Sequence, residues 1–260
     1  MAIRSDLPLP SSYRQRSYRG SVEPKAGFSF AVQVEESDLW ISVGKTSAET
    51  DLKALAHERL LHYRAQLLAF LERYPDWGSS LLPVAAADYP FAPTLLRVMM
   101  AAAEKAGVGP MAAVAGALAE AVGRDLNPGS DNEIVVENGG DVFLTGCREY
   151  SLAIFAGSSP LSGRVGLKLV KSSPFCCGVC TSSGRVGHSL SFGQADAVTI
   201  VAEDTALADA VATALANRVQ QKSDLALVIE KALIIDGVTG AVAIYEDDLA
   251  AGGQIELVEL

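Results

Sequence analysis

From Asn132 onward the chain is a series of short β-branched runs bounded by Gly, Ser or Pro, broken by one alanine-rich helix. IVVE (134–137), VFLT (142–145), SLAIFA (151–156), VGLKLV (165–170) and AVTIVA (197–202) have the length and residue types of strands. Asp204 is a good N-cap for the helix TALADAVATALANRV that follows. ALIID (232–236), AVAIY (241–245) and IELVEL (255–260) read as further strands, with a turn over Gly237–Gly240. A doubly wound parallel sheet needs a helix between successive strands, and that alternation is missing. The fold class expected is α+β, with mixed or antiparallel sheets flanked by helices.

The N-terminal half adds a hairpin and three helices. Residues 28–34 and 39–43 read as strands joined by a turn at Glu35-Glu36-Ser37-Asp38. Ser47 is an N-cap candidate for a helix whose apolar positions, Leu52, Ala56, Leu60, Tyr63, Leu67, Phe70 and Tyr74, recur every three or four residues until Pro75 and Gly78 end it. His57 and His62 are five residues apart on that helix and therefore lie on different faces, which argues against a shared metal. Beyond a Pro/Ala-rich connector, Pro83 to Pro93, two helices are expected over Thr94–Lys105 and Pro110–Val122. The second, with Gly116 at its centre, is built of small residues that let a backbone come very close, whether a packed sheet or a ligand. No repeat or linker divides the chain, so residues 1–260 are read as one domain with an N-terminal arm over 1–26.

Composition removes several function classes. Half of the residues are apolar (49%) and 20% are charged, which is globular rather than disordered. The longest apolar stretch, Met111 to Ala119, spans nine residues before Glu120, well short of the roughly 20 that cross a bilayer. The first twenty residues lack the apolar core of a secretory signal, so a soluble, cytoplasmic protein without a membrane partner is expected. The formal charge of −10, from 31 acidic and 21 basic residues, disfavours nucleic acid. An anionic ligand would need a metal, helix N-termini or backbone amides to hold it. Cys176, Cys177 and Cys180 lie too close together in sequence for a disulfide framework; Cys177 and Cys180 form a C-x-x-C, open both to a metal or redox role and to a place as small strand residues.

Three segments carry candidate chemistry. Asn138-Gly139-Gly140-Asp141 lies between two strands; paired glycines make a tight turn and also let amides reach a ligand that a Cβ would exclude. Thr181-Ser182-Ser183-Gly184, followed by His188, concentrates hydroxyls and amides suited to oxyanions, and a histidine there can act as a base near neutrality or simply form structural hydrogen bonds. Asp209 and Thr213, four residues apart, share a helix face and can hold Mg2+ or hydrogen-bond locally.

In order, Gly139-Gly140-Asp141, then Thr181 to Gly184 with His188, then Ala206-Leu207-Ala208-Asp209-Ala210-Val211-Ala212-Thr213 resemble the ApbE-like proteins, the FAD:protein FMN transferases. The helix around Ala115-Gly116 is similar to that family's K-G-Y-A helix, and the resemblance covers about residues 109–218. A short prokaryotic branch of the superfamily is closer still, through V-C-T-S-S-G-x-V-G-H-S-x-S-F-G (from Val179) and G-V-G-P-M-A-A-V-A-G (Gly107 to Gly116). The resemblance implies a flavin or other nucleotide as small-molecule ligand, FAD or FMN, held around Ala115, Gly116, Asn138–Asp141 and Thr181–Gly184. It further implies Mg2+ on Asp209 and Thr213, and His188 as catalytic residue of an FMN transfer from FAD. The same fold without transfer, a small-molecule-binding module, is the alternative, and a homo-oligomer is compatible with either. Two departures stand out: Ala115 replaces the family lysine, and Ser189-Leu190-Ser191-Phe192-Gly193 replaces the family's H-x-x-D-P-x-x-G loop.

Overall fold

A computed structural model describes residues 27–44, 49–127, 133–146, 149–169, 175–184 and 193–260. Ser47, Cys147 and His188 lie outside these residues. The chain opens with a hairpin, β1 (Phe28–Val34) and β2 (Ser37–Val43), whose loop is tighter than expected: Val34 pairs with Ser37, leaving Glu35 and Glu36 alone in the turn. Glu35 adopts φ 52°, a conformation unusual outside glycine. Arg64, on the long helix α1 (Glu49–Arg73), holds the turn. Its Nη1 donates to Ser37 Oγ at 2.7 Å, and its Nη2 pairs with Glu36 at 2.7 Å and with Glu35. Arg64 is buried while both carboxylates are exposed, so Arg64→Ala frees anions that water can resolvate. The expected loss is about 2 kcal/mol of unfolding free energy, measured by urea denaturation. A loss too small to resolve would mean that the turn holds without the guanidinium.

After a short helix α2 (Pro75–Ser79) come α3 (Thr94–Ala106), a 3-10 turn at Pro110–Ala113 and α4 (Val114–Leu126). Strands β3 (Ile134–Asn138), β4 (Asp141–Gly146), β5 (Tyr150–Ala153), β6 (Val165–Leu169), β7 (Phe175–Ser182) and β8 (Ala197–Ala202) follow, then α5 (Thr205–Ala216), α6 (Asp224–Leu233), β9 (Val238–Tyr245), β10 (Asp248–Gly253) and β11 (Glu256–Glu259). One sheet has eight strands in the order β1-β2-β3-β4-β7-β8-β9-β10, and a second has three, β11-β6-β5. Every pairing described is antiparallel, and the architecture is the α+β arrangement expected.

The large sheet is covered on both faces. Helices α1, α4, α5 and α6 pack on one side, with α3 over α5, and the three-stranded sheet closes the other through Leu144, Cys177, Val179, Val201 and Ile244. This explains why β8 reads as an apolar run broken only by Thr199: all six of its residues are buried. Helix α5 is enclosed by the sheet, α3 and α4, and eleven of its twelve residues are buried, leaving Thr213 the most open. Among the described residues no single helix is long and apolar enough to cross a membrane.

At the C-terminal end two expectations change and one strand is new: the turn expected over Gly237–Gly240 gives way to β9, which begins at Val238. ALIID is not a strand; its first two residues end α6, whose Leu225, Val228, Ile229 and Ala232 recur at helical spacing and bury against β9 and β10. Strand β10, DLAAGG, has little β-propensity of its own and exists through its ladder with β9.

Candidate functional site

The site lies where α4, α5, the β3–β4 turn and the end of β7 meet on the helical side of the large sheet. Asp204 caps α5 as its sequence predicts, accepting from Leu207 N–H at 2.9 Å. Five residues on, Asp209 is 7% exposed and faces α4. Its Oδ2 accepts from Gly116 N–H at 2.9 Å, and Ala115 N–H is a second donor, so one carboxylate satisfies amides in the first turn of α4. Gly116 is required there, because a Cβ would stand 2.4 Å from Thr205 O and 2.9 Å from Asp209 Cβ. Burial nevertheless dominates the electrostatics and pushes the Asp209 carboxyl up to about 7, against the opposing pull of the Gly116 and Ala115 amides.

The turn Asn138–Asp141 comes to the same place. Asn138 Nδ2 donates to Ala115 O at 3.1 Å, tying the turn to α4. Gly139 and Gly140 adopt φ 75° and 110°, and Gly140 N–H donates to Glu137 Oε1 at 3.1 Å. Asp141 pairs in register with Cys180, and strand pleating puts both on the helical face. Burial pushes the Cys180 thiol well up, and the charges of Asp141 and Asp209 add to it; the protonated thiol donates to Thr205 O at 3.4 Å. Ser182 Oγ shares a hydrogen bond of 3.0 Å with Thr213 Oγ1, joining β7 to the outer end of the Asp209 face.

Not every residue singled out by sequence arrives there. Thr181 alternates with Ser182, so its side chain lies on the opposite face, where its Oγ1 bonds Thr199 Oγ1 at 2.8 Å; only its backbone, through an N–H to Gly140 O at 3.3 Å, belongs to the site. Ser183 Oγ and Gly184 N–H both donate to Ala195 O, at 3.3 and 2.8 Å, which ties the end of β7 to the segment just before β8. The same alternation separates the C-x-x-C: Cys177 sits in the core beneath the small sheet and Cys180 in the core beneath the helices. They are strand residues, and they point in opposite directions.

Chemically, the cluster offers hard oxygen donors and backbone amides. Asp209 and Thr213 contribute one carboxylate and one hydroxyl, oxygen donors of the type a hard cation takes. Among the described residues no group of three or more His, Cys, Asp or Glu forms a full metal cage. A broad groove of about 790 Å3 between β1 and α1, lined by Phe28, Phe30, Val32, Lys53 and His57 among others, shares none of these residues. The residue that sequence inspection passed over is Glu120, whose Oε2 accepts from Thr205 N–H at 2.7 Å; its only signal was a charge interrupting a run of small apolar residues, four positions after Gly116.

The architecture is that of the ApbE-type α+β proteins. The ApbE protein of Thermotoga maritima superposes with a TM-score of 0.52 at 16% identity, over 88% of this chain and 96% of that one, a likeness of fold. The flavinyl transferase ApbE of Pseudomonas stutzeri, in its apo form, aligns at 0.49 and 14%, over 87% and 94%. In sequence, the UPF0280 protein of Methanocaldococcus jannaschii is 40% identical over 209 residues, 78% of this chain and 84% of the relative. The family model described as AbpE bacteria matches residues 20–240, and the chain belongs to this ApbE-like family.

Proposed function

We propose that this chain binds a flavin nucleotide at the cluster just described, and that it takes FAD with Mg2+ and moves FMN to an acceptor hydroxyl. One observation carries the reading: four segments far apart in sequence, at Ala115-Gly116, Asn138–Asp141, Ser182 and Asp209–Thr213, are joined by hydrogen bonds in a chain of the ApbE-like family. Asp209 and Thr213 are the residues that would hold Mg2+, which supplies charge neutralisation for a pyrophosphate. The α4 amides orient the Asp209 carboxylate, and Ser182 orients the Thr213 hydroxyl. The bare Gly139-Gly140 turn leaves room for a ligand against the backbone. In the transfer, an acceptor oxygen forms a bond to the FMN phosphorus, the phosphoanhydride P–O bond breaks and AMP leaves. The acceptor's proton passes to His188, the role the family resemblance assigns to that residue.

Titration of the purified protein with FAD and Mg2+ is expected to give binding tighter than about 100 µM, or roughly −5.5 kcal/mol. Asp209→Ala should weaken it by about tenfold or more. Absence of binding by the wild type overturns the flavin reading. The replacement of the family lysine by Ala115 favours a second reading, a binding module without transfer. Incubation with FAD, Mg2+ and a threonine-bearing peptide separates the two: covalent flavin on the peptide identifies a transferase, and tight binding with FAD left intact identifies a module.

A further inference from the structure

Helices α4 and α5 exchange carboxylates. Asp209 of α5 takes the amide of Gly116 on α4, and Glu120 of α4 takes the amide of Thr205 on α5. Residues 116 and 120 are one turn apart on α4, and 205 and 209 are one turn apart on α5, so the two contacts form an antiparallel lock about 6 Å long. The first-turn amides of α5 can be fully accounted for. Asp204 accepts from Leu207 N–H and Ala206 N–H, and Glu120 from Thr205 N–H. Of these two carboxylates only Glu120 belongs to another helix, so only it ties the start of α5 to α4. Arg124 grips the second oxygen of Glu120, with its Nε at 2.7 Å and its Nη2 at 2.6 Å, and thereby fixes the rotamer. Thr205 itself is fully buried, with its Cα and N facing Gly178 of β7 on its other side.

We propose that Glu120 is a positioning residue of the site: by holding the N-terminus of α5 on α4 it sets where Asp209 and Thr213 stand. It touches no ligand in this role and acts through α5. The part that concerns ligand affinity rests on the flavin reading above, whereas the part that concerns α5 does not.

The test uses the full chain with Glu120→Ala and Glu120→Gln, the latter keeping an oxygen acceptor for Thr205 N–H. Two quantities are read: hydrogen exchange at the Gly116 amide and FAD affinity in the presence of Mg2+. Glu120→Ala is expected to speed Gly116 exchange by about tenfold relative to amides of the central strands, because the Asp209 contact loosens locally. It should weaken FAD·Mg2+ binding by about tenfold, with Glu120→Gln restoring both to within about threefold of wild type. A uniform rise in exchange over the whole chain, or a glutamine variant as impaired as the alanine one, overturns the proposal, since each denotes general destabilisation or a role for charge alone. Should Glu120→Ala not fold, Arg124→Gln, at an exposed side chain, carries the same test with an expected effect of about threefold on Gly116 exchange; an unchanged rate there overturns it. If wild type binds no FAD, the flavin reading fails and the exchange measurement alone decides the role of Glu120.

Discussion

Asp209→Asn is expected to remove a large pH-dependent component of stability. The carboxyl rises to about 7 in the folded chain from the ordinary 3.8, chiefly through burial. Between those values the folded state keeps a proton that the unfolded state has released, so stability falls as pH rises. The contribution is therefore fully present below about pH 4 and lost by the time pH has passed through 7, and it amounts to a few kcal/mol. Asparagine keeps an oxygen for Gly116 N–H and cannot ionise. Urea unfolding of both proteins at pH 5 and pH 8 should find the wild type losing stability relative to the variant at the higher pH. An equal difference at the two pH values would mean that Asp209 ionises normally. In the proposed function a cation favours the ionised carboxylate, so Mg2+ with FAD should raise wild-type stability most at pH 8 and leave the asparagine variant unmoved.

Alanine at Gly178 or Gly116 is expected to cost about 3 kcal/mol in each case. At Gly178 the new Cβ would lie 2.3 Å from Thr205 Cα and 2.9 Å from its N, and at Gly116 it would meet Thr205 O at 2.4 Å. These are backbone atoms of a helix wedged between the sheet and α3, so no side-chain rotation relieves the contact. Either variant should shift α5 and lower FAD affinity together with the melting temperature. Because the two push Thr205 from opposite sides, β7 and α4, a shift that relieves one contact worsens the other, and the double variant should lose more than the sum of the two single losses. Losses below about 1 kcal/mol would show that α5 slides freely, which would also undermine the α4–α5 lock.

Much of this architecture was legible in residue order. Strand lengths, the Asp204 cap and the proline ahead of α4 are local signals, and each emerged where its physics is local. The C-terminal end was less legible: ALIID has a strand's composition, but four buried positions at helical spacing decide for α6, while β10 owes its form to its partner strand.

The site divides in the same way. The sequence by itself determined which segments carry glycine pairs, hydroxyls and the Asp209–Thr213 face, and their order pointed to the ApbE-like family. The tertiary structure alone decided what each side chain meets. The large sheet is buried on both faces, so the apolar run around Cys180 does not reveal which side carries the helices; register turns Thr181 away and sends Cys177 and Cys180 to different cores. The partner of Asp209 lies 93 residues earlier in the chain, and that of Thr205 lies 85 earlier. Contacts of that span leave no periodicity or motif behind; they arise only when α4 and α5 are pressed together by the burial of their small-residue faces.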